Sequence, residues 1–437
     1  MRRVNHAGRV SRRLAAAFAA LAFGAGAAPR LGAQARQGPG LHRAAATELA
    51  GRWRGRRWAL DLDVRAGILW MTPLAGGAIG PLRARGDTLV AAGASGPSTR
   101  ILRRRGILVY RGDTLRRAPD SEPPPPPAAD VGLIGAYGPA GGGLYILERD
   151  GTLYAQTGSL VLAPLRPVAA GVYRSPGPGL DAGAPLRFTI DATGRATSVA
   201  VGGVVYRHRT VGPAGGGPFR ITPQHPVAEL RRTALAMRPP PVKPGLRRAD
   251  LVDLAALDSA IRLDIRYATT DDFLGTPMYS SARAFLQRPA AQALLRALRR
   301  LERRGYGVLI YDAYRPWYVT RMFWDATPDS LKAFVADPRT GSNHNRGCAV
   351  DLTLYELGTG RPVDMGGGYD EFSPRSHADY PALSDAQRWR RVLLRRAMEA
   401  EGFRVYDAEW WHFDYRDWAR YPVLNLTFEQ LASRHDH

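Results

Sequence analysis

From about Thr47 to Arg209 the apolar residues fall in short runs, often alternating with polar ones and broken by glycine-containing turns. In Leu186-Arg187-Phe188-Thr189-Ile190 the alternation puts Leu186, Phe188 and Ile190 on one face of an extended strand. Arg85-Gly86-Asp87-Thr88-Leu89 recurs as Arg111-Gly112-Asp113-Thr114-Leu115, and Asp150-Gly151-Thr152-Leu153-Tyr154 repeats the theme. Glycine accepts the positive φ of a tight hairpin turn, so each site predicts two paired strands. The prolines Pro123 to Pro127 fit no sheet interior. They predict a stiff connector over 119–129 that splits an all-β, barrel-like region, 47–209, into two halves. Residues 210–248, rich in Gly and Pro, read as a linker.

Beyond Asp250 the period changes. Pro289 opens and Gly305 closes a helix in which Leu294, Leu298 and Leu301 form an apolar stripe. Val308 to Tyr311 reads as a short buried strand. Ser384 and Gln387 make a capping box for a second helix ending at Gly402, with Trp389, Val392, Leu393 and Met398 expected inward. The region 249–432 is therefore expected to be an α+β domain, an antiparallel sheet flanked by helices.

The chain of 437 residues is long enough for two or three domains. Its formal charge is +22, and all but two of its 61 basic residues, Lys243 and Lys332, are arginine. These arginines are spread along the chain rather than gathered on one segment, which argues against nucleic acid as a partner. Attraction to an anionic polymer such as cell wall is compatible with the charge. Arg2, Arg3, Arg9, Arg12 and Arg13 precede an apolar stretch, Leu14 to Ala28, and then Ala33-Gln34-Ala35. That is the plan of a secretory signal peptide over 1–35, whose apolar run is too short to span a bilayer comfortably. The expectation is an exported protein of the periplasm or cell envelope, with no membrane span once matured. With Cys348 as its one cysteine, the chain forms no internal disulfide and no cysteine-rich zinc site.

Three stretches carry chemistry: Tyr311-Asp312-Ala313-Tyr314-Arg315-Pro316, Ser342-Asn343-His344-Asn345-Arg346-Gly347-Cys348-Ala349-Val350-Asp351, and Glu409-Trp410-Trp411-His412. A catalytic zinc takes three protein ligands and keeps one position open. His344 and Asp351 flank Gly347, so a turn followed by a strand would bring both to one point, and His412 would complete the set. Zinc acidifies water towards a pKa of about 7, and Glu409 is close enough to act as the base. On an ideal strand Glu409 and His412 point to opposite faces, so a bend is expected at Trp410-Trp411. Arg315 is the cation for charge growing on a carbonyl oxygen. Cys348 is expected as a packing residue, and His377 is the rival ligand.

In that order the stretches resemble the D-Ala-D-Ala dipeptidases, the VanX-like members of a zinc peptidase family that also contains D,D-carboxypeptidases. The family pattern S-x-H-x-x-G-x-A-x-D is met by Ser342, His344, Gly347, Ala349 and Asp351, and E-x-x-H by Glu409 and His412. The likeness covers about residues 246–430. It implies one Zn2+ per chain on His344, Asp351 and His412, Glu409 as base, Arg315 as stabiliser, and Ser342 and Asp370 on the substrate's ammonium group. It further implies cleavage of a small D-amino-acid dipeptide, in wall-peptide turnover or glycopeptide resistance. A carboxypeptidase trimming peptidoglycan stems is the alternative enzyme. A wall-binding protein with a vestigial peptidase domain is the alternative of another class. The hairpin around Leu144 to Tyr154 resembles small lipocalin-like modules appended to secreted hydrolases, either a peptidoglycan-binding unit or a structural appendage.

Overall fold

The computed structural model describes residue 41 and residues 43–435, apart from 66, 92–99, 141, 159, 177–182 and 211–218. The expected signal peptide, 1–35, lies outside the described residues.

Eight antiparallel strands between Gly51 and Arg117 close into a barrel, the last pairing with the first through Trp53 and Arg117. Closure leaves no open sheet edge. Alternate side chains, among them Trp53, Leu60, Leu62, Leu89, Ile101, Leu108 and Leu115, fill its interior. The expected turns are in place: Arg111 and Gly112 have φ of 50° and 77°, and Asp150 and Gly151 have 56° and 73°. Two consecutive positive φ values are what a two-residue hairpin of matching twist requires.

The second half differs from the likeness its hairpin suggested. Leu144–Arg149 and Thr152–Thr157 belong to an open five-stranded sheet, and the closed barrel is built by the first half. That open sheet shares one core with a second sheet over 166–207 through Leu144, Ile146, Leu153, Leu186 and Val199. Its outer strand, Gly77–Ala78, comes from the first half and pairs with Val161 and Leu162.

The stretch expected as a plain linker carries a helix, Val227–Ala236. Leu230 and Ala234, four apart, give it an apolar stripe that is buried in the core of the C-terminal domain. The five-stranded sheet of that domain runs, from one edge, Ile261–Leu263, Tyr306–Asp312, Ala349–Glu356, Glu409–Tyr415, Phe403–Tyr406. It is antiparallel except that Ile261–Leu263 lies parallel to Tyr306–Asp312. The Arg288–Glu302 helix buries Leu294, Leu298 and Leu301 as its period demands, and Gly305 follows at a φ of 84°.

The Asp385–Ala400 helix has its capping box, but its burial departs from expectation. Leu394, Ala397 and Met398 are buried, whereas Trp389, Val392 and Leu393 are only half-buried and Arg391 is buried instead. The cause is a second partner: the N-terminal region docks on this helix. Arg52 of the barrel donates to Asp61 at 2.7 and 3.0 Å and to Asp385 at 2.7 and 2.9 Å. Arg388 pairs with the same Asp61 at 3.0 Å, and Glu148 accepts from the Asp385 backbone N–H at 3.0 Å. The proline-rich connector is held too, since Trp389 donates to Asp120 at 3.1 Å and Arg390 to Glu122 at 2.6 Å.

Burial alone would raise the Asp385 carboxyl, but Arg388 and Arg52 hold it well below the usual carboxylate range. A depressed folded-state value means the carboxylate contributes stability above about pH 4, the unfolded value, and loses it as pH falls towards the folded one. Arg52→Ala should therefore cost on the order of 3 kcal/mol in denaturant titration at pH 7, because it removes the two-bonded partner of the buried Asp385 and leaves its charge to Arg388 alone. The deficit should shrink as the medium is acidified below about pH 4. An unchanged midpoint at pH 7 would show that the pair does not hold the domains together.

Candidate metal centre

The site is assembled by strand register. Asp351 lies directly opposite His412 across the Ala349–Glu356 and Glu409–Tyr415 pair, and opposite Asp312 on the other side. Val350, Leu352 and Leu354 are fully buried on the far face, which pins that register. His344 arrives from the turn His344–Arg346 just before the strand. Gly347 closes the turn at a φ of 64°, and a Cβ there would meet the Leu251 side chain at 2.4 Å. Only glycine fits both demands.

Three side chains converge. His344 Nε2 and His412 Nδ1 are 3.0 Å apart, His412 Nδ1 and Asp351 Oδ1 are 3.0 Å apart, and His344 Nε2 is 3.3 Å from Asp351 Oδ1. For metal bonds of about 2.0–2.1 Å in a tetrahedron, the ligand–ligand edge is about 3.3 Å. The triangle thus fits one face of such a site, and His344, Asp351 and His412 form the one cluster of that kind among the described residues. His377 is exposed and stands outside it. Cys348 is fully buried in the apolar core, where burial pushes its thiol up to about 12, as suits a packing residue.

The orienting groups were less visible in the sequence. His344 Nδ1 donates to the Ala313 carbonyl at 2.6 Å, which leaves Nε2 for the ion. His412 Nε2 donates to Asp414 Oδ1 at 3.0 Å, and that oxygen also accepts from Asn343 at 2.8 Å. Such partners fix ring and tautomer. Asp414 follows His412 by two residues, so strand alternation places both on one face, a clue available from spacing alone. Tyr369 donates to Asp351 Oδ2 at 3.1 Å. Burial disfavours the His412 cation, yet Asp414 and Asp351 outweigh it and hold the imidazole well above its ordinary value. A divalent ion would therefore displace a proton on binding.

Glu409 stands outside the triangle, 3.8 Å from His412 Nδ1. The expected distortion takes the form of a bulge. Val405 pairs with Phe413 but the next residue, Tyr406, pairs with Glu409, so 410–412 have no partner on the Phe403–Tyr406 side, while His412 keeps its place opposite Asp351. That lets Glu409 and His412 line the same cavity while Trp410 and Trp411 are both buried. Burial, followed by the nearby Asp351 charge, pushes Glu409 up to about 7 against the pull of the two histidines.

The cavity holds about 260 Å3 and brings together Ser342, His344, Asp351, Asp370, Glu409, His412 and Arg315. Arg315 is aimed by Asp312, which accepts from its Nε and Nη2 at 2.9 and 2.7 Å, and it lies over the rings of Tyr267 and Phe323. Asp312 is itself held by Tyr279 at 2.7 Å. Asp370 accepts from Tyr267 at 2.7 Å and sits at a φ of 52°. Burial raises its carboxyl well above the ordinary value. The Ser342 hydroxyl accepts from the His344 backbone at 3.2 Å, so it also holds the ligand turn.

The family model described as D-ala-D-ala dipeptidase matches residues 247–433. A D-alanyl-D-alanine dipeptidase of Escherichia coli K12 is 40% identical over 184 residues, 42% of this chain and 94% of that protein. One from Enterococcus faecium is 38% identical over 190 residues, 39% of this chain and 91% of that protein. One from Streptomyces coelicolor is 37% identical over 186 residues, 38% of this chain and 92% of that protein. The likeness falls on the C-terminal domain.

Asp414→Ala removes the acceptor that orients His412 while leaving all three candidate ligands. It should weaken retention of the divalent ion by about 10- to 100-fold in chelator competition. Undiminished retention would remove Asp414 from the site.

Proposed function

The chain belongs to the D-alanyl-D-alanine dipeptidase family, and from that premise we propose that it hydrolyses free D-Ala-D-Ala to two D-alanines with one zinc ion on His344, Asp351 and His412. The observation that carries this reading is the triangle of ligand atoms at 3.0, 3.0 and 3.3 Å with Glu409 beside it. Zinc held by those three side chains would polarise the scissile carbonyl and acidify the attacking water.

The remaining work falls to the chain's own groups. Glu409 takes the proton from the attacking water and delivers it to the leaving amine as the C–N bond breaks. A carboxyl near 7 is suited to both transfers at neutral pH. Arg315, locked by Asp312, offers a fixed guanidinium to the oxygen that gains charge. Asp370 and Ser342 hold the substrate's ammonium group. An ammonium arriving beside the Asp370 carboxyl favours its ionised form, against the burial that now raises it. A small cavity with a carboxylate for a free N-terminus supports a dipeptide over a longer stem.

The reading extends to the compartment. The arginine-rich leader, the apolar run Leu14 to Ala28 and Ala33-Gln34-Ala35 support export to the periplasm or envelope. Among the described residues no helix is long and apolar enough to cross a membrane. There the dipeptide would come from wall peptides, in turnover or in glycopeptide resistance, with the β-rich region as a wall-binding unit. The intact set of ligands, base and cation supports an enzyme over a vestigial domain.

Zinc-loaded protein should release D-alanine from free D-Ala-D-Ala and leave a pentapeptide stem uncut. Release from the stem alone would make it a carboxypeptidase, and release from neither, with zinc bound, would favour the wall-binding protein. Glu409→Ala should keep its zinc and lose about 10²- to 10⁴-fold in kcat. Unaltered turnover would take Glu409 out of the mechanism.

A further inference from the structure

A larger cavity, about 410 Å3, lies behind the catalytic strand, where the barrel, the Leu144–Arg149 sheet and the Asp385–Ala400 helix meet. It falls within the size range of small-molecule sites. Its walls are mainly apolar and aromatic, with Leu147, Leu162, Tyr145 and Tyr380 among them. One polar feature sets it apart from a packing void. Trp410 is 4% exposed and lines the cavity, yet its indole N–H has no hydrogen-bond partner. The Nε–H of Arg388, also in the wall, is buried and unpartnered as well.

Both orphaned atoms are donors. A buried donor left without a partner is costly, so the cavity has standing demand for an acceptor. The charge around it has the same sign, for the lining carries six arginines against four carboxylates. Two of those arginines are spent on backbone carbonyls rather than acids. Arg149 donates to the carbonyls of Glu148 and Leu383, and Arg391 to those of Met365, His377 and Arg375. Burial, helped by neighbouring Arg388, draws Arg149 down to about 10, and burial with Arg375 draws Arg391 down to about 9. These two arginines lack an ion-pair partner among the described residues, whereas Arg388 pairs with Asp61 and Asp385 and keeps only its Nε–H unpartnered, and Arg391 stands over the Trp410 ring at 5.2 Å.

We propose that this cavity binds a small amphipathic carboxylate, its apolar body against Tyr145, Leu147 and Leu162 and its anionic head accepting from Trp410 and Arg388. Trp410 directly follows Glu409 on the bulged strand, so the occupant sits on the opposite side of the same strand from the base. The proposal does not depend on the reaction assigned to the zinc site. Fatty acids and acylated amino acids share the required chemistry.

Isothermal titration of the full chain tests it with three probes: decanoate, decanol with nearly the same body and no charge, and N-acetylphenylalanine with the same head on a peptide-like body. Decanoate or N-acetylphenylalanine should bind at least about tenfold more tightly than decanol, as a charge-assisted pair demands. Tighter decanoate assigns a fatty acid, and tighter N-acetylphenylalanine assigns a peptide carboxylate. Trp410→Phe keeps an aromatic ring, smaller than the indole, and loses the N–H, and should weaken the carboxylate by about fivefold with decanol unaffected. Thr72→Trp fills the cavity from the barrel wall and should abolish binding of every probe. Equal affinity for decanol and both carboxylates, no carboxylate binding at all, or carboxylate binding unmoved by either substitution would each overturn the proposal. Circular dichroism and retained zinc on Trp410→Phe separate a lost contact from a lost fold.

Discussion

The chemistry depends on one antiparallel register. Asp351 faces His412 across a strand pair and faces Asp312 on the other side, so the candidate metal ligands and the anchor of Arg315 are set by the same alignment. A slip of one residue would turn Asp351 into the apolar layer now filled by Val350, Leu352 and Leu354. Those three side chains touch neither ion nor substrate, yet they fix where the charged ones point. Irregularities flank the pairing on both sides, at Ile310/Asp312 and at Val405/Tyr406. Each re-aims a polar side chain that a regular strand would send to the wrong face.

Much of this was legible in the sequence because it is written in short-range rules. Ser384 with Gln387, Pro289 with Gly305, and the Arg111-Gly112 and Asp150-Gly151 turns are each specified within a few residues. The candidate metal-holding residues were legible because metal binding admits few residue types and the motif spacing matches a known family. What stayed hidden is what depends on distant partners. Nothing near Trp389 or Arg391 announces that a barrel built more than 250 residues earlier in the chain would dock on that helix and invert part of its inward face. Asp312 and Asp414 stood beside the ligand and arginine positions, yet only coordinates give an orienting carboxylate its role. The helix at Val227–Ala236 was masked by the prolines and glycines around it.

The excess of arginine also gains a structural meaning. A guanidinium offers five donors in a planar fork, and this chain repeatedly uses it to satisfy backbone carbonyls and to bridge domains. Arg391 ties the loop that carries Met365, Arg375 and His377, while Arg231 holds the carbonyls of Pro277 and Met278. Arg52 bridges two carboxylates from different domains. Lysine, a flexible point charge, would not span two such partners with fixed geometry.

The two-residue strand Gly77–Ala78 ties the fates of the β modules together. It leaves the barrel's neighbourhood to cover the edge of the sheet that Val161–Pro164 would otherwise expose. Cutting the chain at the proline-rich stretch would hand each fragment a defect, one with a strip projecting into solvent and the other with an uncapped ladder ready to recruit a foreign chain. The two β modules are thereby one structural unit, joined through a single strand pairing.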